Sequence, residues 1–294
     1  MNELEDYLIN NEIVVKINSK EILTGDIFVA LIGKNNHGNK YILDAINRGA
    51  KFVITEKNFK KNFLKLEKNK IFLVDNVIEY LANIATKKRN LYKGKVIGIT
   101  GSIGKTSLKE NLKYFLSNSF KVFASTKSYN NHLGVILSLV NLNLQADFAI
   151  LELGTNNFLE IRKLVAIALP SQIIITNIFP THLEKLINTK NIAIEKSDIF
   201  NMNFNPNIIL AILPNNNIDE KFIIKKALSQ GIPKVITYGN NKNSDLRILK
   251  IKKIDVCYSR IYLIYRNQDI ELIVNNNQLQ KIQNILACLL IYKY

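Results

Sequence analysis

The chain has 294 residues, a formal net charge of +16 and 47% hydrophobic residues, which excludes a disordered chain and leaves room for two domains with sizeable cores. The acidic start Met1-Asn2-Glu3-Leu4-Glu5-Asp6 lacks the basic and apolar segments of a signal peptide, and no apolar run approaches the ~18 residues of a membrane span. The two cysteines, Cys257 and Cys288, have no metal-type spacing and read as free thiols of a cytoplasmic protein.

The first part predicts a small α/β unit. Residues 27–31 form an apolar run, and a Gly/Asn/His-rich turn through Gly38 follows. A helix then carries Ile42, Ala45 and Ile46 on one face and closes at Gly49. Residues 52–54 and 71–74 are the next strands, and a helix over 77–91 leads to a boundary at Lys93-Gly94-Lys95. The predicted domains are therefore 1–92 and 93–294.

From Val96 the rhythm alternates. Strands are predicted over 96–100, 121–124, 148–153, 172–176 and 208–213, with helical stretches between them. That order argues for a mainly parallel sheet covered on both faces. From about Leu246 the apolar period shortens towards two, with a polar turn at 266–269, predicting an antiparallel meander. A last helix is predicted over 279–292, and the Asn runs 215–217 and 275–277 suit turns. The basic residues are spread through a Lys/Asn/Ile-rich sequence, with no tail, stripe or aromatic interleaving. The charge reads as compositional, with attraction of an anionic nucleotide as the functional alternative.

The most informative stretch is Thr100-Gly101-Ser102-Ile103-Gly104-Lys105-Thr106, between the strand 96–100 and a helix from Leu108. Glycines let the backbone approach a phosphate, and the turn amides and helix N-terminus supply donors and positive potential. Lys105 can reach terminal phosphates, and the Thr106 hydroxyl can hold Mg²⁺. Ile99 stands where the common P-loop pattern has its first Gly. At the end of a strand, the oxygen of Glu152 also suits Mg²⁺. A transport or nucleic-acid ATPase would instead carry a strand ending in Asp after several apolar residues. By itself, His182 reads as a structural or surface histidine, and Lys196 as one solvated lysine among many.

Several segments together resemble the Mur ligase family, ATP-dependent enzymes that join an amino acid or peptide to a UDP-linked precursor. They are Thr100 to Thr106, Leu151-Glu152-Leu153-Gly154, Ile175-Thr176-Asn177-Ile178 with Thr181-His182-Leu183-Glu184, and Glu195-Lys196-Ser197-Asp198-Ile199-Phe200. The resemblance implies that ATP is held by Thr100, Gly101, Ser102, Gly104, Lys105, Thr106, Asn177 and Asn284. It implies Mg²⁺ on Thr106, Glu152, His182 and a carbamylated Lys196, with Lys105, Lys196 and His182 as catalytic residues. The run 24–33 is similar to the family's UDP-substrate domain, where Ser19 would touch substrate.

Tyr129-Asn130-Asn131-His132-Leu133-Gly134-Val135 resembles the segment of the members that add D-alanyl-D-alanine to UDP-N-acetylmuramoyl-tripeptide, with Asn130 and Asn131 facing that substrate. An Asn-rich turn is the plain alternative for this segment. The members adding the third peptide residue, and folylpolyglutamate-type ligases, are the other family readings. Departures from the family pattern are Lys127 and Ser128 for Gly-Asn, Asn157 for a common His, and Gln280-Lys281 for a His-Asn pair that seats adenine. The family's C-terminal domain has no counterpart here. A truncated sequence, a chain that needs a separate C-terminal polypeptide, and an inactive remnant are therefore weighed beside an active ligase. No nucleic-acid partner and no membrane insertion are expected.

Overall fold

The computed structural model describes residues 3–10, 14–33, 36–57, 68–126, 128–181 and 183–294. The chain divides into two compact units, Met1–Tyr92 with Ile136–Leu144, and Lys93–Val135 with Gln145–Tyr294.

The first unit contains α1 (Glu3–Asn10), β1 (Val15–Lys16), β2 (Ile27–Val29), α2 (Ile42–Asn47), β3 (Phe52–Glu56), β4 (Ile71–Val74) and α3 (Val77–Leu91). Its four strands pair in parallel in chain order. β2 is buried along its whole length, as expected of a parallel strand covered on both faces. Phe28, Ala30 and Val53 share a core with Ile42 and Ala45 of α2. In α3, Asn76 caps the first turn by accepting from the Glu79 amide, and Val77, Leu81, Ile84, Ala85 and Lys88 form the buried stripe. The Lys88 ammonium donates to the Val140 carbonyl at 2.8 Å, and burial pushes its pKa down to about 8. The Asn141 side chain both accepts from and donates to the backbone of Val15, and so takes the place of a neighbouring strand.

The chain continues with β5 (Lys95–Thr100), α4 (Lys105–Leu116), β6 (Val122–Ala124), α5 (His132–Val140, in the first unit from Ile136 on), β7 (Phe148–Glu152), α6 (Glu160–Ala168), β8 (Gln172–Ile175), α7 (Leu183–Leu186) and α8 (Thr189–Ser197). Then follow β9 (Leu210–Pro214), α9 (Ile218–Ser229), β10 (Val235–Gly239), β11 (Leu246–Lys253), β12 (Tyr258–Tyr265), β13 (Gln268–Asn275) and α10 (Ile282–Lys293). The strands make one nine-stranded sheet of order β13-β12-β11-β10-β9-β8-β5-β7-β6, parallel from β6 to β11 and antiparallel across β11, β12 and β13. Ile97, Ile99, Ile150, Ile174, Ile212 and Tyr238 share a core with α4 and α10. Val96, Leu151, Ile173, Ile175 and Leu213 alternate with them along the strands and are buried on the opposite face. Both faces are thus covered, as the apolar runs predict. The α/β class, the mainly parallel sheet and the antiparallel meander all match the sequence expectation.

Besides α1 and β1, which the sequence reading does not contain, two elements differ from it. β10 is a full strand of the sheet, although its run of five residues ending at Gly239 gives little periodicity. The last α-helix starts at Ile282 rather than near 279, because Asn276–Lys281 wind as a 3-10 turn. No helix among the described residues is long and apolar enough to cross a membrane.

β5 marks the point where the chain reverses direction through the sheet: β7 and β6 lie to one side, and β8 onwards to the other. In open α/β sheets the crevice beyond the strand ends at such a point binds ligands.

Candidate active site

The P-loop runs from the end of β5 into α4. Gly101 has φ +144° and Gly104 φ +87°, conformations that L side chains rarely adopt. Gly101 is also needed for space, because a Cβ there would lie 1.9 Å from Thr176 Oγ1. The loop is bound to the segment after β8. The Asn177 side chain accepts from the Ile103 amide and donates to its carbonyl, both at 3.0 Å, and Thr176 Oγ1 donates to the same carbonyl at 2.6 Å. Ser102 Oγ donates to the Phe179 carbonyl and accepts from its amide, both at 2.9 Å. Tyr238, fully buried, donates from its hydroxyl to the Ile175 carbonyl at 3.0 Å and so fixes the same segment from below.

Lys105 folds back over the loop and donates to the Gly101 carbonyl at 2.7 Å. Burial pushes its pKa down, while Glu152 opposes that shift. The Thr106 hydroxyl donates to Glu152 Oε2 at 3.1 Å, which joins the start of α4 to the end of β7. Glu152 is fully buried, and its Oε1 accepts no hydrogen bond. Lys109 Nζ lies 3.2 Å from that oxygen, without hydrogen-bond geometry, and donates to the Ser125 carbonyl at 2.7 Å. Lys196 is also buried. Burial and then the Lys105 ammonium push its pKa down to about 7, against the opposing carboxylate of Glu195. Glu195 accepts from Thr155 Oγ1, Leu159 N and Ile161 N, so it ties α8 to the loop after β7. Lys105, Lys196, Thr106 and Glu152 therefore form one cluster at the strand ends.

This donor set fits Mg²⁺. It offers two hard oxygens, one from a buried carboxylate with a free lone pair, and Mg²⁺ characteristically uses one or two carboxylates together with phosphate oxygens and water. Among the described residues no group of three His, Cys, Asp or Glu side chains stands together, so a ready all-protein cage is absent. His182 lies outside the described residues.

Beside the loop lies a cavity of about 520 Å³. Ile103, Gly104 and Ser107 line one side, and Asn177, Phe179, Asn216, Asn217, Glu220 and Asn240 line another. Lys281, Gln283 and Asn284 close it from α10 and the turn before it. The Asn284 amide is the nearest group to the open side of Gly104. Glu220 is buried, which raises its pKa, and it fixes Asn216 by accepting from its amide at 2.7 Å and its side chain at 3.1 Å. Asn216, Asn217, Glu220 and Asn240 were not foreseen as site residues. The signal for them was the Asn run 215–217, which stands at a strand end just before a helix, the position where parallel sheets bind ligands.

The remaining expected residues are placed differently. Thr100 is fully buried behind the loop and its hydroxyl has no partner. Asn130 packs over Gly154 at the end of β7, where a Cβ on Gly154 would lie 2.7 Å from Asn130 Cγ. Asn131 Oδ1 accepts from the Gly134 amide at 2.8 Å, in the first turn of α5. Ser19, in the first unit, is buried and donates a hydrogen bond to Asp44, which lowers that carboxyl's pKa.

The segments that carry the sequence resemblance meet here: a P-loop bound to a Thr-Asn segment, with a strand-end Glu and a buried Lys beside it. Residues 99–292 match the Mur ligase middle domain, and residues 14–89 match the model described as Mur ligase family, catalytic domain. This chain belongs to the Mur ligase family. It is 41% identical over 239 residues to the UDP-N-acetylmuramoyl-tripeptide–D-alanyl-D-alanine ligase of Rickettsia prowazekii, covering 81% of this chain and 51% of that protein. The enzyme of the same name from Buchnera aphidicola (subsp. Baizongia pistaciae) is 33% identical, over 79% of this chain and 48% of the relative. The chain thus spans about half the length of the curated relatives it matches. Among solved structures, MurF ligase from Thermotoga maritima in complex with ADP superposes with a TM-score of 0.76 at 26% identity, covering 100% of this chain and 64% of that one. MurF from Acinetobacter baumannii gives a TM-score of 0.74 at 23% identity, which shows the shared fold, over 94% of this chain and 58% of that one.

Proposed function

We propose that this chain carries out ATP-dependent formation of the amide bond between UDP-N-acetylmuramoyl-tripeptide and D-alanyl-D-alanine, in the cytoplasm. The observation that carries the reading is the P-loop joined through Thr106 to the buried Glu152, with Lys105 and Lys196 beside it. The names of the relatives supply the substrates, and the ADP in the Thermotoga structure supports a nucleotide in the cavity beside Gly104.

Residues 1–92 would hold the UDP-linked precursor near Ser19, and 93–294 would hold ATP. The amides of the first turn of α4, from Lys105 on, would cradle the phosphates, while the Lys105 side chain would exchange the Gly101 carbonyl for a terminal phosphate oxygen. Asn284 and the Asn216–Glu220 pair would border the base and ribose. Thr106, Glu152 and Lys196, with His182, would hold Mg²⁺, which supplies charge neutralisation between the γ-phosphate and the approaching carboxylate. A pKa of about 7 leaves much of the Lys196 amine unprotonated near neutral pH. That amine can add to CO2, forming a C–N bond, releasing one proton and adding a carbamate carboxylate to the carboxylate of Glu152.

The tripeptide carboxylate then displaces ADP from the γ-phosphorus to give an acyl phosphate. The D-alanyl-D-alanine amine attacks that acyl carbon, and phosphate leaves. Asn130 and Asn131 would border the muramoyl-peptide. Excluding water from the acyl phosphate would fall to the part of the longer relatives that this chain does not span.

The test is hydroxylamine trapping with ATP, Mg²⁺ and UDP-N-acetylmuramoyl-tripeptide, without the amine substrate. A hydroxamate of the tripeptide, absent in Lys105→Ala, supports the proposal. ATP hydrolysis with no hydroxamate, at the same rate with or without the tripeptide, contradicts it.

A further inference from the structure

The β11–β12 turn carries an apolar and basic patch that the ligase reading does not use. On the outer face of the meander, Ile254 and Tyr258 are exposed, Ile273 is 62% exposed, and Val256 at the apex is 85% exposed. The apex is not a loose loop. Asp255 Oδ1 accepts from the amides of Cys257 and Tyr258, both at 2.7 Å, and Asn276 Nδ2 donates to the carbonyls of Asp255 and Val256 at 3.2 and 2.8 Å. The exposed apolar side chains are therefore held on a preformed platform.

The ladder register puts cations on the same face. Lys252 lies directly opposite Arg260, and Arg260 opposite Ile273; Lys250 follows two residues before Lys252. Like charges directly opposite one another destabilise a sheet unless an anion lies against them. Of the two acids nearby, Asp255 is occupied by the turn, and Glu271 meets Arg260 alone, at 3.3 Å. Apolar side chains at an apex flanked by cations complement an anionic bilayer surface: aliphatic groups enter the headgroup–acyl boundary while lysines and arginines meet lipid phosphates. A nucleic-acid groove would instead present exposed aromatic stacking platforms; of the two tyrosines on this face Tyr258 is exposed, while Tyr262, opposite Lys250, is half-buried.

We propose that the β11–β12 apex is a peripheral docking site for an anionic lipid surface, contacting it through Val256, Ile254 and Ile273 with Lys250, Lys252 and Arg260. This is a surface contact, distinct from a membrane-spanning segment, and it does not depend on the ligase reading.

The test uses the whole chain labelled at Cys257 with an environment-sensitive fluorophore, since Cys257 is exposed and Cys288 buried. Co-sedimentation is measured with vesicles of phosphatidylcholine alone and of equal parts phosphatidylcholine and phosphatidylglycerol. The expected result is binding to the mixed vesicles only, with a blue shift of the label. Lys252→Glu with Arg260→Glu, and separately Val256→Asp with Ile273→Asp, should each weaken binding about tenfold or more. Far-UV circular dichroism confirms that both variants fold. The proposal is overturned if the mixed vesicles do not bind, if both variants bind like the parent, or if the label does not shift. Binding to single-stranded RNA without binding to vesicles would overturn it in favour of a nucleic-acid surface.

Discussion

Removing the Lys109 ammonium should be among the most damaging single changes in the second unit. Lys109 and Glu152 are both fully buried, 3.2 Å apart, and Lys109 also holds the Ser125 carbonyl at 2.7 Å. Breaking a buried ion pair from one side leaves an uncompensated charge and typically costs about 3–5 kcal/mol. Lys109→Met should cost that much. Replacing both partners, Lys109→Met with Glu152→Leu, removes the stranded charge. It leaves the Ser125 carbonyl short of a partner, about 1 kcal/mol, while the Thr106 hydroxyl keeps Ser128 Oγ at 3.3 Å. The double variant should therefore be more stable than Lys109→Met alone, by about 1–3 kcal/mol. Urea unfolding followed by circular dichroism measures this, since the chain has no tryptophan. A Lys109→Met variant within about 1 kcal/mol of the parent, or a double variant less stable than the single, would refute the reasoning.

Other outcomes follow from the same geometry. Gly101→Ala forces a Cβ to within 1.9 Å of Thr176 Oγ1 at φ +144°, so a fluorescent ADP analogue should lose at least tenfold in affinity while α-helical content is retained; parent-like binding would contradict the loop geometry. Lys196→Ala should abolish turnover, with partial recovery on adding short carboxylates, and full activity without them would remove Lys196 from the site. Because burial lowers the Lys196 pKa to about 7, the free amine is present above that pH instead of only above the ordinary lysine range. Carbamate-dependent turnover should therefore rise from about pH 6 to about pH 8. The same sign means that the buried ammonium opposes folding below about 7 and that this cost is relieved as pH rises. Tyr238→Phe, which leaves the Ile175 carbonyl without its side-chain donor, should cost about 1–3 kcal/mol in urea unfolding.

The parallel strands were readable because each is a short apolar run ending at a turn, and β5, β7, β8 and β9 are buried on both faces. β10 was not readable, since Val235-Ile236-Thr237-Tyr238-Gly239 mixes polar and apolar residues and owes its place to pairing with β9. α1 and β1 were missed for a related reason: β1 has two residues, and its free edge is completed by the side chain of Asn141, far along the chain. In the site, Gly101, Gly104, Lys105 and Thr106 could be read from local spacing alone. Glu152 was legible as a strand-end carboxylate, whereas Lys196 stood out only through the family resemblance, because its burial depends on how α8 packs. The Asn216–Glu220 pair was hidden by composition: in an Asn-rich chain, an Asn run before a helix looks like any other turn.

The most direct test of the central claim is ligation itself. The purified chain is supplied with UDP-N-acetylmuramoyl-tripeptide, D-alanyl-D-alanine, ATP and Mg²⁺, with and without the separately expressed C-terminal domain of the Rickettsia relative, and phosphate and ligated product are followed together. The account predicts product and phosphate in equal amounts in at least one of these mixtures, both lost in Lys105→Ala. Phosphate release without product in either mixture, or product that persists in Lys105→Ala, would contradict it.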